Sequence, residues 1–225
     1  LYKRSKKVDL AGKKAQLALL KRNGVTVSLS KLREVVEMSL PFFHNQKRSP
    51  QPLTYSKRIL RLLGVSSPSD ALARAFTEVY YSSRLRGGLK RSLAPGAHSL
   101  LNKASSKGII LGVITDNDSS WCKEWIRKLK LPISKDLILV SHEVSARKSS
   151  RKPFNVFFKK VRERLPKIHP WEILMVGNHA RDLNASKAGF KTCYYNPFNR
   201  SLDKLQITPD YVIGHFRELE KVVLV

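Results

Sequence analysis

Residues 172–190 read EILMVGNHARDLNASKAGF. The apolar run EILMVG predicts a strand, the pair Gly177 and Asn178 predicts a turn, and DLNASKAGF predicts a helix. A strand that leads through glycine and polar residues into a helix is a common build of a phosphate or metal site. The oxygens of Asn178 and Asp182 could both face one Mg²⁺, a hard cation that prefers oxygen ligands. Equally, Asn178 or Asn184 could cap the helix, and Asp182 could stabilise its first turn.

Apolar runs bounded by turn signals recur along the second half of the chain. They predict strands at 109–115, 137–141, 172–177, 192–196 and 211–214. Helical patterns separate them, and an unbroken apolar run such as IILGVIT is expected of a parallel strand that is buried on both faces. This alternation predicts an α/β fold with a doubly wound parallel sheet. The aromatic stripe of PFNVFFKKVRERL is expected to pack into its core.

The first part of the chain shows a different sequence pattern. Residues 9–90 show helical patterns without a convincing strand, and Pro41 is expected to close the helix SLSKLREVVEMSL. We therefore expect two domains: an all-helical module at 9–91, and an α/β core made of 1–8 together with 92–225.

Composition narrows the class of protein. No segment approaches the roughly 20 apolar residues of a membrane helix, and the two cysteines favour a reducing compartment, so we expect a cytoplasmic protein. The formal net charge of +26 is unusual. Such a field attracts polyanions, so we expect possible non-specific contact with nucleic acid; a merely solvated basic surface is the alternative.

Polar residues follow two further predicted strands. Thr115, Asp116 and Asn117 follow the strand at 109–115, where the hydroxyl and the backbone amides could hold a phosphate oxygen. The alternative is that the residues after them merely cap the next helix. Lys148 and Lys152 follow the strand at 137–141, and a lysine there could neutralise charge on a phosphoryl group. A basic surface loop is the alternative for both lysines.

Taken in this order, these stretches resemble the haloacid dehalogenase-like (HAD) superfamily, in its branch with a helical C1-type cap. APGAHSLLNKASSKGIILGVITDN resembles the family's helix, strand and Ser/Thr motif, SHEVSARK and KPFNVFF its lysine motif, and ILMVGNHARDLNASKAGFKTCYYNP its acidic motif. PDYVIGHFRELEKVV is similar to the usual ending. The resemblance implies a Rossmann-like core, an inserted cap at 9–91, and mostly Mg²⁺-dependent phosphatase activity.

The chain departs from the family pattern in three ways. The spacing from Ser141 selects Lys148 as the site lysine, whereas Pro153, well placed in the first turn of a helix, slightly favours Lys152. The family's Gly-Asp is Gly-Asn here, at Asn178. The Asp-x-Asp-Gly-Thr nucleophile motif does not occur in the sequence. In the family it ends a central strand between those at 109–115 and 172–177, so we expect this strand and its aspartate upstream of residue 1.

The resemblance therefore implies two functions. The first is Mg²⁺-dependent hydrolysis of a small phosphate monoester through an aspartyl-phosphate, with an upstream aspartate as nucleophile. Thr115 and Lys152 (or Lys148) would act on the phosphoryl group, Asp116 and Asn117 would bind the substrate, and Asn178 and Asp182 would hold Mg²⁺. The alternative is an inactive HAD-like protein that binds RNA or the ribosome through its basic surface.

Overall fold

The computed structural model describes residues 6–45, 52–88, 93–116 and 119–224. The chain divides into two compact units, one from Lys3 to Ser92 and the other from Leu93 onward. Among the described residues, no helix is long and apolar enough to cross a membrane.

The first unit is helical. Its elements are α1 (Lys6–Arg22), α2 (Leu29–Asn45), α3 (Pro52–Leu62) and α4 (Asp70–Gly88). Their apolar faces meet in a core whose fully buried members include Leu20, Leu32, Leu60 and Phe76. The expectation that Pro41 ends the second helix is wrong: α2 runs on to Asn45. A proline removes one backbone hydrogen bond from a helix, and here that loss does not end it.

The second unit alternates helices and strands. Its elements are α5 (Ala97–Ser106), β1 (Val113–Thr115), α6 (Ser119–Lys128), β2 (Ile138–Val140), α7 (Lys152–Arg164), β3 (Leu174–Gly177), a 3₁₀ segment (Ala180–Ala188), β4 (Lys191–Tyr195), β5 (Tyr211–Ile213) and α8 (Phe216–Val223). Short 3₁₀ turns precede β2 and β3. The α/β fold class is thus confirmed, although the helix predicted after β3 is a 3₁₀ segment.

The strands are parallel and form two groups. β1 pairs with β2, with Thr115 opposite Val140. β4 lies between β3 and β5, with Gly177 opposite Tyr194. β1 and β3 are each the last hydrogen-bonded strand of their group in the described part of the chain. β2 and β5 are likewise edge strands of their groups in the described residues.

The core of this unit lies under α7. Phe154, Phe157 and Val161 are buried, and they pack with Leu139 of β2 and with Phe190. The Phe154 and Phe190 rings meet edge to face, with centroids 6.2 Å apart. The predicted core stripe of this helix is confirmed. Because the strands are parallel, this packing brings their carboxyl ends to one edge of the unit.

Candidate functional site

The ends of β1 and β2 are joined by their backbones. Thr115 is the last residue of β1 and is 9% exposed. Its carbonyl oxygen accepts a hydrogen bond of 2.8 Å from the backbone N–H of Ser141, which follows β2 and is fully buried. The backbone of Thr115 therefore lies beside the start of the loop that carries Lys148.

Asp116 ties three segments together. Its Oδ1 accepts hydrogen bonds from the Ser141 hydroxyl and, at 3.2 Å, from the backbone N–H of Lys148. Its Oδ2 forms an ion pair with Arg181 of the 3₁₀ segment, 3.2 Å from Nη1. This carboxylate holds the loop after β2 in place, so the predicted contact of Asp116 with substrate stays a prediction. Asn117 lies outside the described residues.

Asp182 lies at the end of β3 and is 3% exposed. Its Oδ2 accepts hydrogen bonds from the backbone N–H groups of Asn178, at 3.1 Å, and His179, at 3.0 Å. Its Oδ1 accepts one from the ammonium of Lys148. Gly177 makes this close approach possible, because a Cβ there would lie only 2.2 Å from Oδ2 of Asp182.

The same contacts show that Asp182 also helps to cap the backbone of the 3₁₀ segment. The 3₁₀ segment begins after His179, whose side chain accepts a hydrogen bond from the backbone N–H of Arg181, while Asp182 accepts one from the backbone N–H of His179. This reciprocal arrangement is a capping box. The alternative that Asp182 stabilises the first turn is therefore realised, but the capping residue is His179 rather than Asn178 or Asn184.

The structure separates the two candidate lysines. The Lys148 side chain is 16% exposed and forms the ion pair with Asp182. Lys152 is exposed and begins α7. Pro153 does stand in the first turn of α7, as expected. We therefore revise the preference for Lys152: Lys148 is the lysine placed beside Asp182, and its role in chemistry stays a prediction.

Two arginines join the site that the sequence analysis did not single out. Arg147 is 2% exposed, and Arg181 pairs with Asp116. Burial lowers the pKa of the Arg147 guanidinium; the negative charge of Asp116 opposes this shift and the positive charge of Arg181 adds to it. The sequence has 43 lysines and arginines, so basic character could not single out these two. The available sequence signal was that Arg147 directly precedes Lys148 and Arg181 directly precedes Asp182.

The same charges act on His179. Burial lowers the pKa of its imidazole, and the positive charges of Arg181 and Lys148 lower it further, while Asp182 and Asp116 oppose the shift. His179 is therefore neutral near pH 7, so its Nδ1 can accept the hydrogen bond that caps the 3₁₀ segment.

The predicted metal ligands offer oxygen donors of the kind that hard cations prefer. Asp182 Oδ1 already faces a cation, the Lys148 ammonium, and Asn178 is exposed beside it. In donor chemistry the pair fits a magnesium ion. Within the described ranges, however, no group of three or more His, Cys, Asp or Glu residues could hold a metal by themselves. Any ion here would rely on water and substrate for its other ligands.

Comparison with known proteins identifies the family. The model of the haloacid dehalogenase-like hydrolases matches residues 54–194. Pyrimidine 5'-nucleotidase YjjG of Escherichia coli is 30% identical over 131 residues, which cover 57% of this chain and 56% of that protein. The chain thus spans about half the length of the curated relative that it matches.

Solved structures show the same fold. The HAD-hydrolase YfnB of Bacillus subtilis, bound to magnesium, is similar with a TM-score of 0.61 and 17% identity, over 96% of this chain and 92% of that one. A HAD phosphatase from Thermococcus onnurineus is similar with a TM-score of 0.63 and 16% identity, over 95% and 88%. Since the family model covers more than half of the sequence, this chain belongs to the haloacid dehalogenase-like hydrolase family.

Proposed function

We propose that the protein hydrolyses the phosphate monoester of a small molecule. The observation that carries this proposal is a chain of contacts between three strand ends. The backbone of Thr115, at the end of β1, meets Ser141 after β2, and Lys148 of the same loop pairs with Asp182 after β3. A hydroxyl, an ammonium and a carboxylate around one pocket are what binding and polarising a phosphoryl group require. The names of two relatives, a nucleotidase and a phosphatase, support the same class of substrate.

Each residue has a distinct task in this proposal. The Thr115 hydroxyl donates to a phosphoryl oxygen, and the Lys148 ammonium offsets the charge that builds up on the phosphoryl group. Asp182 positions Lys148, since its Oδ2 is itself held by two backbone N–H groups. An ammonium fixed in this way need not reorganise as the reaction proceeds, which is the main source of electrostatic catalysis.

We propose Mg²⁺ as the cofactor, with Asp182 and Asn178 as its protein ligands. The oxygen donors fit such an ion, and one solved relative is described as bound to magnesium. The ion would supply charge neutralisation and orientation of the phosphoryl oxygens. Because Asn178 brings no charge, we expect weaker binding of the ion than with two carboxylates.

We propose that the nucleophile is an aspartate on a strand between β1 and β3. Its carboxylate oxygen would form a bond to phosphorus while the ester oxygen leaves as an alcohol, and water would then release inorganic phosphate. In the described residues β1 and β3 are edge strands of two separate groups. This supports the idea, because unpaired backbone groups along two apolar strands are costly. The helical unit would serve as the cap that selects the substrate.

The test is turnover of p-nitrophenyl phosphate by the complete gene product, with Mg²⁺ and with EDTA. We expect Mg²⁺-dependent hydrolysis, a fall in kcat of about 100-fold or more in K148Q, and little change in K152Q. The two variants lose the same charge four residues apart, so K152Q controls for net charge. Equal activity of K148Q and the wild type would refute the assignment of Lys148, and absence of turnover in the wild type would refute the function.

A second candidate function is binding of nucleic acid, favoured by the net charge of +26. Non-specific binding through phosphates falls steeply as salt concentration rises. We would expect RNA to bind with an affinity that decreases at least about tenfold between low and physiological salt. Binding that is absent at low salt would exclude this role. For location we propose the cytoplasm, since the sequence has only two cysteines, Cys122 and Cys193, and both are buried.

A further inference from the structure

An exposed tryptophan lies at the amino-terminal ends of the strands. Trp171 belongs to the 3₁₀ turn Pro170–Glu172, directly before β3, and is 59% exposed. The candidate functional site lies at the carboxyl ends of the strands, so Trp171 is at the opposite edge of the unit. Tryptophan buries most of its large surface in the average protein, and the proposed hydrolysis makes no use of this side chain.

The indole is held flat against a second ring. The rings of His169 and Trp171 stack with centroids 4.3 Å apart and planes 5° apart, and we call this pair the ring platform. The backbone N–H of His169 donates a hydrogen bond of 2.7 Å to Glu172 Oε2, which closes the turn. Pro170 packs against Gly189, where a Cβ would lie only 3.0 Å from the Cβ of that proline. The turn is therefore fixed, and since His169 covers one face of the indole, the other face is open to solvent.

The chain around the ring platform is basic. Residues 159–172 include five lysines and arginines and two glutamates. Lys167 is two residues before His169, and Lys187 is two residues before the turn at Gly189. Both lysines are exposed, so their ammonium groups are accessible to phosphates that approach the ring platform.

An open aromatic face beside positive charge fits a single strand of nucleic acid. Every base has a flat face that can stack on an aromatic side chain, and proteins that bind single strands combine such side chains with basic residues that contact the phosphates. In a duplex the bases are already stacked on one another, so the ring platform offers a duplex no comparable contact.

We infer that the ring platform, together with Lys167 and Lys187, is a binding surface for single-stranded nucleic acid. One base stacks on the open face of Trp171, and the neighbouring phosphates meet the two lysines. This inference rests on the second candidate function, to which it adds a location and a requirement for bases. It is independent of the hydrolysis proposed for the opposite edge. Binding through net charge alone would not distinguish a strand with bases from one without them.

The test is fluorescence anisotropy of labelled strands of about 12 nucleotides, titrated with the full chain at low salt in EDTA. The strands are oligouridine RNA, oligothymidine DNA and a DNA of the same length without bases. None carries a terminal phosphate, so none offers the candidate site a phosphate monoester. We expect strands with bases to bind about tenfold more tightly than the strand without them, and W171A to lose this difference. W171F keeps a flat ring, and we expect its affinity to stay within about threefold of the wild type.

Control variants isolate the ring platform. F198A removes another aromatic ring, 62% exposed, from the loop after β4, and we expect less than about a twofold change in affinity. K167Q should weaken the binding of strands with and without bases alike, by about twofold to threefold, because a phosphate contact is common to both. Turnover of p-nitrophenyl phosphate should be the same in W171A as in the wild type, which shows that the variant is folded.

Equal affinity for strands with and without bases would overturn the inference and leave binding through charge intact. Absence of binding to any strand would overturn the second candidate function as well, and neither result would affect the proposed hydrolysis. A loss in F198A as large as that in W171A would also overturn the site. So would binding to vesicles of phosphatidylcholine and phosphatidylserine that depends on Trp171, without binding to the strands, because the partner would then be a membrane surface. The strand that binds more tightly, RNA or DNA, identifies the natural partner.

Discussion

Replacing Gly177 with alanine should damage the fold and the site together. The new Cβ would lie 2.2 Å from Oδ2 and 2.3 Å from Cβ of Asp182. The Cβ of Asp182 is fixed to its backbone, so a rotation of the side chain cannot relieve the contact. We expect the start of the 3₁₀ segment to move away from β3, and Asp182 to lose its hydrogen bonds to the backbone of Asn178 and His179.

Two energetic costs determine how much stability Gly177→Ala should lose. Losing a capping interaction costs about 1 kcal/mol, and forcing an extra carbon into a packed site costs about 1–3 kcal/mol. Together they predict that Gly177→Ala lowers the free energy of unfolding by about 2–4 kcal/mol. With a urea dependence of about 2 kcal/mol per molar, the midpoint should fall by about 1–2 M.

Urea titration followed by tryptophan fluorescence measures this change. All three tryptophans, Trp121, Trp125 and Trp171, belong to the unit that begins at Leu93, so the signal reports that unit. Gly214→Ala is the matched control, because Gly214 directly follows β5 and precedes a helix that is also capped by a histidine. The nearest heavy atom to a Cβ there is Glu218 Oε1, at 3.7 Å, an ordinary contact.

We expect Gly214→Ala to change the stability by less than about 0.5 kcal/mol. Equal midpoints for the two variants would refute the argument, because they would show that the close approach of Asp182 to Gly177 does not restrict residue 177. If Gly177→Ala is destabilised but still binds phosphate with wild-type affinity, the close approach of residue 177 to Asp182 matters for the stability of the fold and not for phosphate binding.

Two further predictions concern the core of the same unit. Phe154→Ala removes a fully buried ring from the core and should lower the free energy of unfolding in urea by about 3–5 kcal/mol. The control Phe198→Ala changes a ring that is 62% exposed and should cost less than about 1 kcal/mol. Similar losses in the two variants would contradict the assigned core. Burial, followed by the charge of Glu218, raises the pKa of the Cys193 thiol to about 11, so the thiolate is scarce at neutral pH and forms only as the pH approaches that value. Peptide mapping after iodoacetamide at about pH 8 should therefore find Cys193 unmodified in the native protein and alkylated in urea, and rapid native alkylation would contradict the burial.

The positions of the strands could be predicted from the sequence because apolar runs between turn signals are local features. β1 is shorter than the predicted 109–115, since only Val113–Thr115 pair with β2. Hydrogen-bond partners belong to the tertiary structure, so the extent of a strand does not follow from its own residues.

The site was harder to predict for a similar reason. Thr115 and Asp182 follow strands and could be found by position. Choosing between Lys148 and Lys152 required the direction in which the loop before α7 leaves β2. The local preference of Pro153 favoured Lys152, whereas the structure places Lys148 beside Asp182. Arg181 contacts Asp116, which lies 65 residues earlier in the sequence. Periodic sequence patterns report local structure and do not predict such a long-range contact.

The capping box at Asp182 has a counterpart after β5. His215 accepts a hydrogen bond from the backbone N–H of Arg217, and Glu218 accepts one from the backbone N–H of His215, and no chemistry is proposed for these residues. An acid at the third helical position is thus useful to this chain for folding alone. A relative without the proposed hydrolysis would still be under selection to keep an acid at the position of Asp182 for folding. Retention of that aspartate is therefore a poor marker of an active enzyme, and loss of Lys148 is the more informative one.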